Sequence, residues 1–399
     1  MEPTTAKRKG KEGALNNPEI IENVPGHVIP ILEREFDDFD NEAEKFLDGQ
    51  TPEDQFIGFR LKQGVYGQRQ ADVQMCRVKL PMGGITPEQW EMFADVTDLL
   101  SDNDLTICHM ETPISADNTN LTVPRVLIFN SPREIADAVV AAGYDGCDFA
   151  SNHTWDQGLS GLAETQQVLE EAGLQYAGPV ADESEAGHYA TYEVDDVTVA
   201  QFGYTYTIYN SGQPTTDIPP DAPWLGDYLW PVIGAEGIIA DAEAAKDDGA
   251  DFVVVSMHWG NEYWTDPTDQ QRELAAELLE SDAVDLILGT HVHVIQPCEK
   301  INDKYVIYGL GNFLSNQSPD TTRGKLRKET QEGMIARFHL TKDADGTVTS
   351  QMEFQPTRVQ IDNHVIRLAT PEEHAETYDR VVETMDRLGE NACDAEPMS

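Results

Sequence analysis

Residues 251–264, 284–297 and 305–313 read DFVVVSMHWGNEYW, VDLILGTHVHVIQP and YVIYGLGNF. Each contains an apolar run that stops abruptly at polar residues: His258 after the first, His291 and His293 after the second, Asn312 after the third. Short apolar runs with such punctuation predict buried strands. An open α/β sheet builds its sites at the carboxyl ends of its strands. His291 and His293 flank a single residue, so both can reach one centre from a turn. Imidazole is a common ligand for Zn, Fe, Ni and Cu. A lone His at a strand end is ordinarily a satisfied surface residue. Three within 36 positions, in a chain with ten, point instead to a metal or phosphate site.

Outward from this stretch the pattern alternates as in an α/β protein. LTICHME (105–111) predicts a strand ending at Glu111, and CDFASNH (147–153) one ending at His153. Ser131 is the expected N-cap of a helix over 131–143, with Pro132 in its first turn. Helices are expected over 159–173, 236–249 and 267–281, and strands over 174–178 and 197–206. A basic loop, TTRGKLRKETQEG (321–333), leads to two antiparallel strands over 334–341 and 347–361. Residues 371–390 predict a C-terminal helix with a frayed tail.

The 399 residues carry 72 acidic against 27 basic side chains, a net charge of −45. Such a surface repels nucleic acid and anionic membranes, and it resembles that of salt-adapted, halophilic proteins. No apolar run reaches the ~18–20 residues of a membrane span, and the basic start MEPTTAKRKGKEG lacks the apolar core of a secretory signal. The five Cys (76, 108, 147, 298, 393) show no C-x-x-C pair. Their odd count suggests no disulfide framework and a reducing, cytoplasmic compartment.

HWGNEYW (258–264), GTHVH (289–293) and YGLGNF (308–313) resemble signature blocks of the CapA family of capsule and poly-γ-glutamate biosynthesis proteins. CHMETPIS (108–115) and SNHTWDQG (151–158) resemble two more, in family order, over about 99–368. The resemblance implies a calcineurin-like metallophosphoesterase fold, with sheet layers inside and helices outside. It implies divalent metal ions (Mn, Fe or Zn, as a pair in that fold) held by Glu111, Asn152, His258, His291 and His293. His153 would polarise substrate, Asp156 would orient His153, and Glu262 and Asn312 would stand at the mouth. The implied partners are an anionic polymer or phosphoester substrate and a capsule-synthesis complex. Family members are usually membrane-associated and extracytoplasmic. The family's opening strand ending in Gly-Asp is missing, and its loss should leave a sheet edge or a gap. Asp72 lies 39 residues before Glu111, but GQRQ ahead of it is no buried strand. His109 replaces the family's Asn and is either a compensating ligand or a rim residue; Thr290 replaces a His.

Residues 55–98 resemble a different family. FRLK (59–62), GVYGQRQ (64–70), MCRVKLP (75–81) and TPEQ (86–89) are similar to the ferredoxin-like half-domain of nitrite and sulfite reductases. Arg77 and Lys79 fall where that family approaches sirohaem. Sirohaem and an iron–sulfur cluster are not expected, because no four Cys have the spacing. The organisation expected is therefore a polar, partly disordered segment (1–50), a reductase-like fragment (51–98), a CapA-like domain (99–368), and a C-terminal helix and tail (369–399). The junction near 98–102 would fall inside a helix over 87–100. Three readings stay open: a metal-dependent hydrolase, a non-catalytic scaffold with an incomplete metal centre, and a reductase fragment.

Overall fold

The computed structural model describes residues 91–398 apart from 122–126, 196, 211–216, 343–347, 363 and 390–391. Segment 1–50, the reductase-like blocks up to residue 90, and with them Asp72, Arg77 and Lys79, lie outside the described residues.

In chain order the elements begin with α1 (Thr97–Ser101), β1 (Ile107–His109), β2 (Ile114–Ser115), β3 (Ser131–Pro132), α2 (Glu134–Ala141), β4 (Gly146–Asp148), α3 (Gly158–Glu171) and β5 (Gln175–Ala177). They continue with β6 (Ala190–Val194), β7 (Val197–Thr205), α4 (Trp230–Asp247), β8 (Phe252–His258), α5 (Asp269–Glu280), β9 (Leu286–Thr290), β10 (Ile295–Ile301) and β11 (Lys304–Leu310). The chain closes with β12 (Glu332–Lys342), β13 (Val348–Gln360), β14 (Val365–Leu368), α6 (Ala375–Met385) and β15 (Glu396–Pro397).

Three sheets carry the fold. The largest runs β10-β11-β9-β8-β7-β6, with β7, β8, β9 and β11 parallel and an antiparallel strand at each end. A smaller parallel sheet runs β1-β4-β5. The third, β12-β13-β14, is antiparallel as expected for 334–361. Period-2 alternation explains the layering. Val253, Val255 and Met257 of β8 pack with Ile238 of α4 and Leu278 of α5, while Phe252 and Val254 pack on the opposite side with Met334 and Phe354. The far face of the small sheet packs Cys147 against Val139 of α2 and Leu162 of α3. The result is a mixed α/β molecule with helices outside two central sheets. β1 has only β4 as a strand neighbour among the described residues.

Several expectations need correction. The cysteines do form disulfides: Cys108–Cys147 and Cys298–Cys393. Their separations of 39 and 95 residues hide the pairing, which arises in the first case because β1 and β4 put Cys108 and Cys147 in register. The expectation of no disulfide framework is thereby corrected. Cys393 and β15, which pairs with β13, also tie down the tail that was expected to fray. Ser131 is no cap. It lies in β3, its hydroxyl hydrogen-bonds that of Thr112 at 2.7 Å, and α2 begins only at Glu134. The expected strand over 147–153 stops at Asp148, and His153 sits in the turn beyond it. The helix expected over 87–100 is, in its described part, a 3-10 turn (Glu91–Phe93) followed by α1. Among the described residues no helix is long and apolar enough to cross a membrane.

Candidate metal centre

β8 ends on His258, paired in register with Thr290 at the end of β9. The imidazole is almost wholly buried. Its Nε2 lies 3.0 Å from Asn152 Oδ1, and its Nδ1 lies 3.0 Å from Thr290 Oγ1. Burial pushes the pKa of His258 well below its ordinary value, and the surrounding imidazoles of His291, His109, His293 and His153 push the same way. The ring is therefore held neutral, the state in which imidazole can ligate a cation.

His291 and His293 lie in the turn between β9 and β10. Both adopt left-handed backbone, with φ of +84° and +58°. Non-glycine residues in that region cost on the order of 1–3 kcal/mol and cluster at functional sites. Gly289 lets β9 approach β11, since a Cβ there would fall 2.1 Å from the Tyr308 carbonyl oxygen. The His258 and His291 rings are 4.6 Å apart, and those of His291 and His293 are 6.3 Å apart. Asn312, just past β11, orients His293. Its Nδ2 donates to Thr330 O (2.8 Å) and Gln317 Oε1 (3.2 Å), which leaves Oδ1 to accept from His293 Nδ1 at 3.0 Å. The lone pair of His293 is thus on Nε2, which makes no hydrogen bond and faces Glu111 Oε1 at 3.4 Å and Glu262 Oε1 at 3.8 Å.

The small sheet contributes from the other side. Glu111 follows β1 by two residues. His109, the last residue of β1, donates from Nδ1 to Asp148 Oδ1 at 2.7 Å, and its ring stacks 5.1 Å from that of His258. Burial opposes a proton on His109, but the Asp148 carboxylate and Glu111 outweigh it and its pKa is raised. Beyond β4, Asn152 donates to Asn210 Oδ1 at 3.1 Å. His153 is fully buried, with Nδ1 donating to Asp156 Oδ2 at 2.7 Å and the Phe129 ring edge-on at 4.7 Å.

A cavity of about 630 Å³ opens here, with His109, Glu111, His291 and His293 at its polar end and Val254, Leu288 and Phe338 among its apolar walls. Among the described residues no three His, Cys, Asp or Glu side chains stand arranged to hold a metal ion. The donor atoms form edges rather than a closed cage. Their separations of 3.0 Å (His258–Asn152) and 3.4 Å (His293–Glu111) are those of neighbouring ligands on a cation with bonds of about 2.1 Å. A neutral, buried imidazole, an amide oxygen, a carboxylate and an unsatisfied ring nitrogen fit such an ion chemically.

Sequence pattern thus found Glu111, Glu262 and His293, which meet, and Asn152, His258 and His291, which adjoin them. His153 and Asp156 form their own pair, and Asn312 orients His293. Asp148, Asn210 and Tyr206, whose ring lies 4.7 Å from that of His291, were missed. Asp148 sits inside the run Cys147–Ala150 rather than at its end, and none of the three carried a sequence signal.

The family profile described as bacterial capsule synthesis protein PGA_cap matches residues 63–317, beginning within the segment that resembles the reductases. The PGA biosynthesis protein CapA of Bacillus subtilis (strain 168) is 27% identical over 256 residues, covering 64% of this chain and 62% of the relative. The capsule biosynthesis protein CapA of Bacillus anthracis is 27% identical over 271 residues, covering 67% and 61%. The chain therefore spans about three-fifths of the length of these curated relatives. Among solved structures, the calcineurin-like phosphoesterase YfkN from Bacillus subtilis superposes with a TM-score of 0.35 at 17% identity, over 62% of this chain and 74% of that one. With well over half of its residues inside the family profile, the chain belongs to the bacterial capsule synthesis protein PGA_cap family.

Proposed function

We propose that this chain works in the synthesis of an anionic polymer, capsule or poly-γ-glutamate, as a cation-dependent hydrolase of the metallophosphoesterase kind. The observation that carries the reading is convergence: donor atoms from the β1, β4, β8 and β9 ends come within 3.0–3.4 Å of one another in pairs. Glu111, Asn152, His258, His291 and His293 would hold Mn, Fe or Zn. Such an ion, when bound, polarises a phosphoryl or carbonyl oxygen and makes bound water acidic. Asp156 fixes the Nδ1–H tautomer of His153, so Nε2 of that ring is the atom that takes or gives a proton. Glu262 and Asn312 stand at the mouth, the latter by orienting His293.

Charge supports an anionic substrate. Four of the 27 basic residues, Arg323, Lys325, Arg327 and Lys328, fall within six positions. Arg327 donates to the Tyr263 carbonyl at 2.9 Å, and the Tyr263 ring lies 5.9 Å from that of His293. The basic loop therefore borders the site in a chain that is otherwise strongly acidic. The two disulfides favour the oxidising, extracytoplasmic side of the membrane as the working place. The organisation we favour keeps a division near 98–102, with the family domain running to 368 and no sirohaem or iron–sulfur cluster.

Elemental analysis and a phosphodiesterase assay with added Mn(II) test the reading on the full chain. Stoichiometric metal and activity, both lost in His291→Ala/His293→Ala, are expected. Polymer binding without metal or turnover would favour the second reading, a scaffold, which the open arrangement of the donors supports.

A further inference from the structure

We infer that His109, held by Asp148, is an additional metal ligand on the β1 side of the site. The inference rests on the metal reading above and adds to its ligand set. Metal-binding histidines almost always donate their second ring N–H to a carboxylate or carbonyl, which fixes the tautomer and aims the lone pair. His109 has this arrangement. Nδ1 is engaged by the buried Asp148 carboxylate at 2.7 Å, and Nε2 is buried with no hydrogen-bond partner. A buried polar atom left unsatisfied calls for a reason. Here the reason lies in its surroundings: Glu111 is two residues on, and the His258 ring is 5.1 Å away.

His293 repeats the pattern from the opposite sheet. Its Nδ1 is fixed by Asn312, and its Nε2 is likewise buried and unsatisfied beside Glu111. Both rings line the same cavity as Glu111, one from each sheet, and each brings a buried ring nitrogen with no hydrogen-bond partner. A merely structural His109–Asp148 ion pair would account for Nδ1 and leave Nε2 unexplained. Asp148 is the positioning residue. It ends β4 one rung beyond the Cys108–Cys147 pair, and the same ladder sets His109 opposite it.

The test is titration of Mn(II) into the metal-stripped full chain by calorimetry, with nitrogen modulation of the Mn(II) electron spin echo as a second readout. His109→Ala should bind Mn(II) about 10–100-fold more weakly and lose one imidazole contribution to the modulation, and Asp148→Asn should weaken binding by about tenfold. Circular dichroism establishes that each variant is folded. Should His109→Ala fail to fold, His109→Asn decides by the same two measurements. Unchanged affinity and modulation in a folded His109 variant, with binding still abolished in His291→Ala/His293→Ala, would overturn the role of His109 and leave the metal centre standing. A wild-type chain that takes up no Mn(II) would overturn both.

Discussion

The large sheet delivers His258 from β8, a seven-residue strand with parallel neighbours on both edges and helices against one face. The small sheet delivers His109 from β1, three residues long and paired only with β4 among the described residues. In the first case hydrogen-bond ladders and burial on both faces fix the side chain. In the second, one short ladder is reinforced by cross-links: Cys108–Cys147, His109–Asp148, and Asp145, whose Oδ2 accepts from the Thr106 backbone at 2.8 Å. A site assembled between the two thus has one half placed by packing and the other by specific bonds. Chemical perturbation should separate them.

The largest effects should come from the disulfides. On the chain-entropy model, closing loops of 95 and 39 residues is worth about 4.7 and about 3.9 kcal/mol. Cys298→Ala/Cys393→Ala should therefore lower unfolding stability by up to about 4–5 kcal/mol, read by denaturant melts. Mn(II) affinity should not change, because that bond joins β10 to the tail away from the ligands. Cys108→Ala/Cys147→Ala should cost slightly less stability but also weaken Mn(II) binding, because it loosens the rung beside His109 and Asp148. Equal losses of metal affinity in the two variants would erase the distinction between the sheets.

Next comes a test inside the large sheet. Asp285 is buried at the start of β9, where Oδ2 accepts from Lys246 Nζ and from the Val253 backbone, each at 2.7 Å. Asp285→Ala leaves an amide and a half-buried ammonium without that partner, at a cost of about 3 kcal/mol. Because β8 and β9 are held along their whole length, Mn(II) affinity should survive wherever the protein remains folded. Parallel loss of metal binding would show that the large sheet is no more rigid at the site than the small one.

The same contrast governs what the sequence revealed. β8, β9 and β11 were legible because strands buried on both faces are continuous apolar runs ending in polar residues. The small sheet was harder. Phe149 and Ala150 prolong the apolar run of β4, yet the chain turns. The Thr154 hydroxyl accepts from the Ser151 amide and donates to the Phe149 carbonyl, so a short polar side chain satisfies the backbone that a longer ladder would have held. Periodicity carries no trace of such a bond. The cysteines were misread for a related reason, since pairing across 39 residues depends on strand register. His258, His291 and His293 were found at the ends of apolar runs and Glu111 through a family block, whereas Asp148, acting through His109, belongs to no block and emerged only in three dimensions.

The smallest effect tests whether helix ends behind the large sheet matter to the site. Thr268 caps α5: its Oγ1 accepts from the Gln271 amide at 3.1 Å while Gln271 Oε1 accepts from the Thr268 amide at 2.9 Å, a reciprocal capping box. Thr268→Ala removes one half of it and should cost about 1 kcal/mol. Gln271 does more, since its Nε2 also donates to Gln296 Oε1 of β10 at 2.9 Å. Gln271→Ala should therefore cost more than Thr268→Ala, stranding the buried Gln296 oxygen as well as half the cap. If the order of these two were reversed, the helix cap rather than the helix-to-strand bond would be the stronger tie. The large sheet would then depend on local bonds much as β1 does.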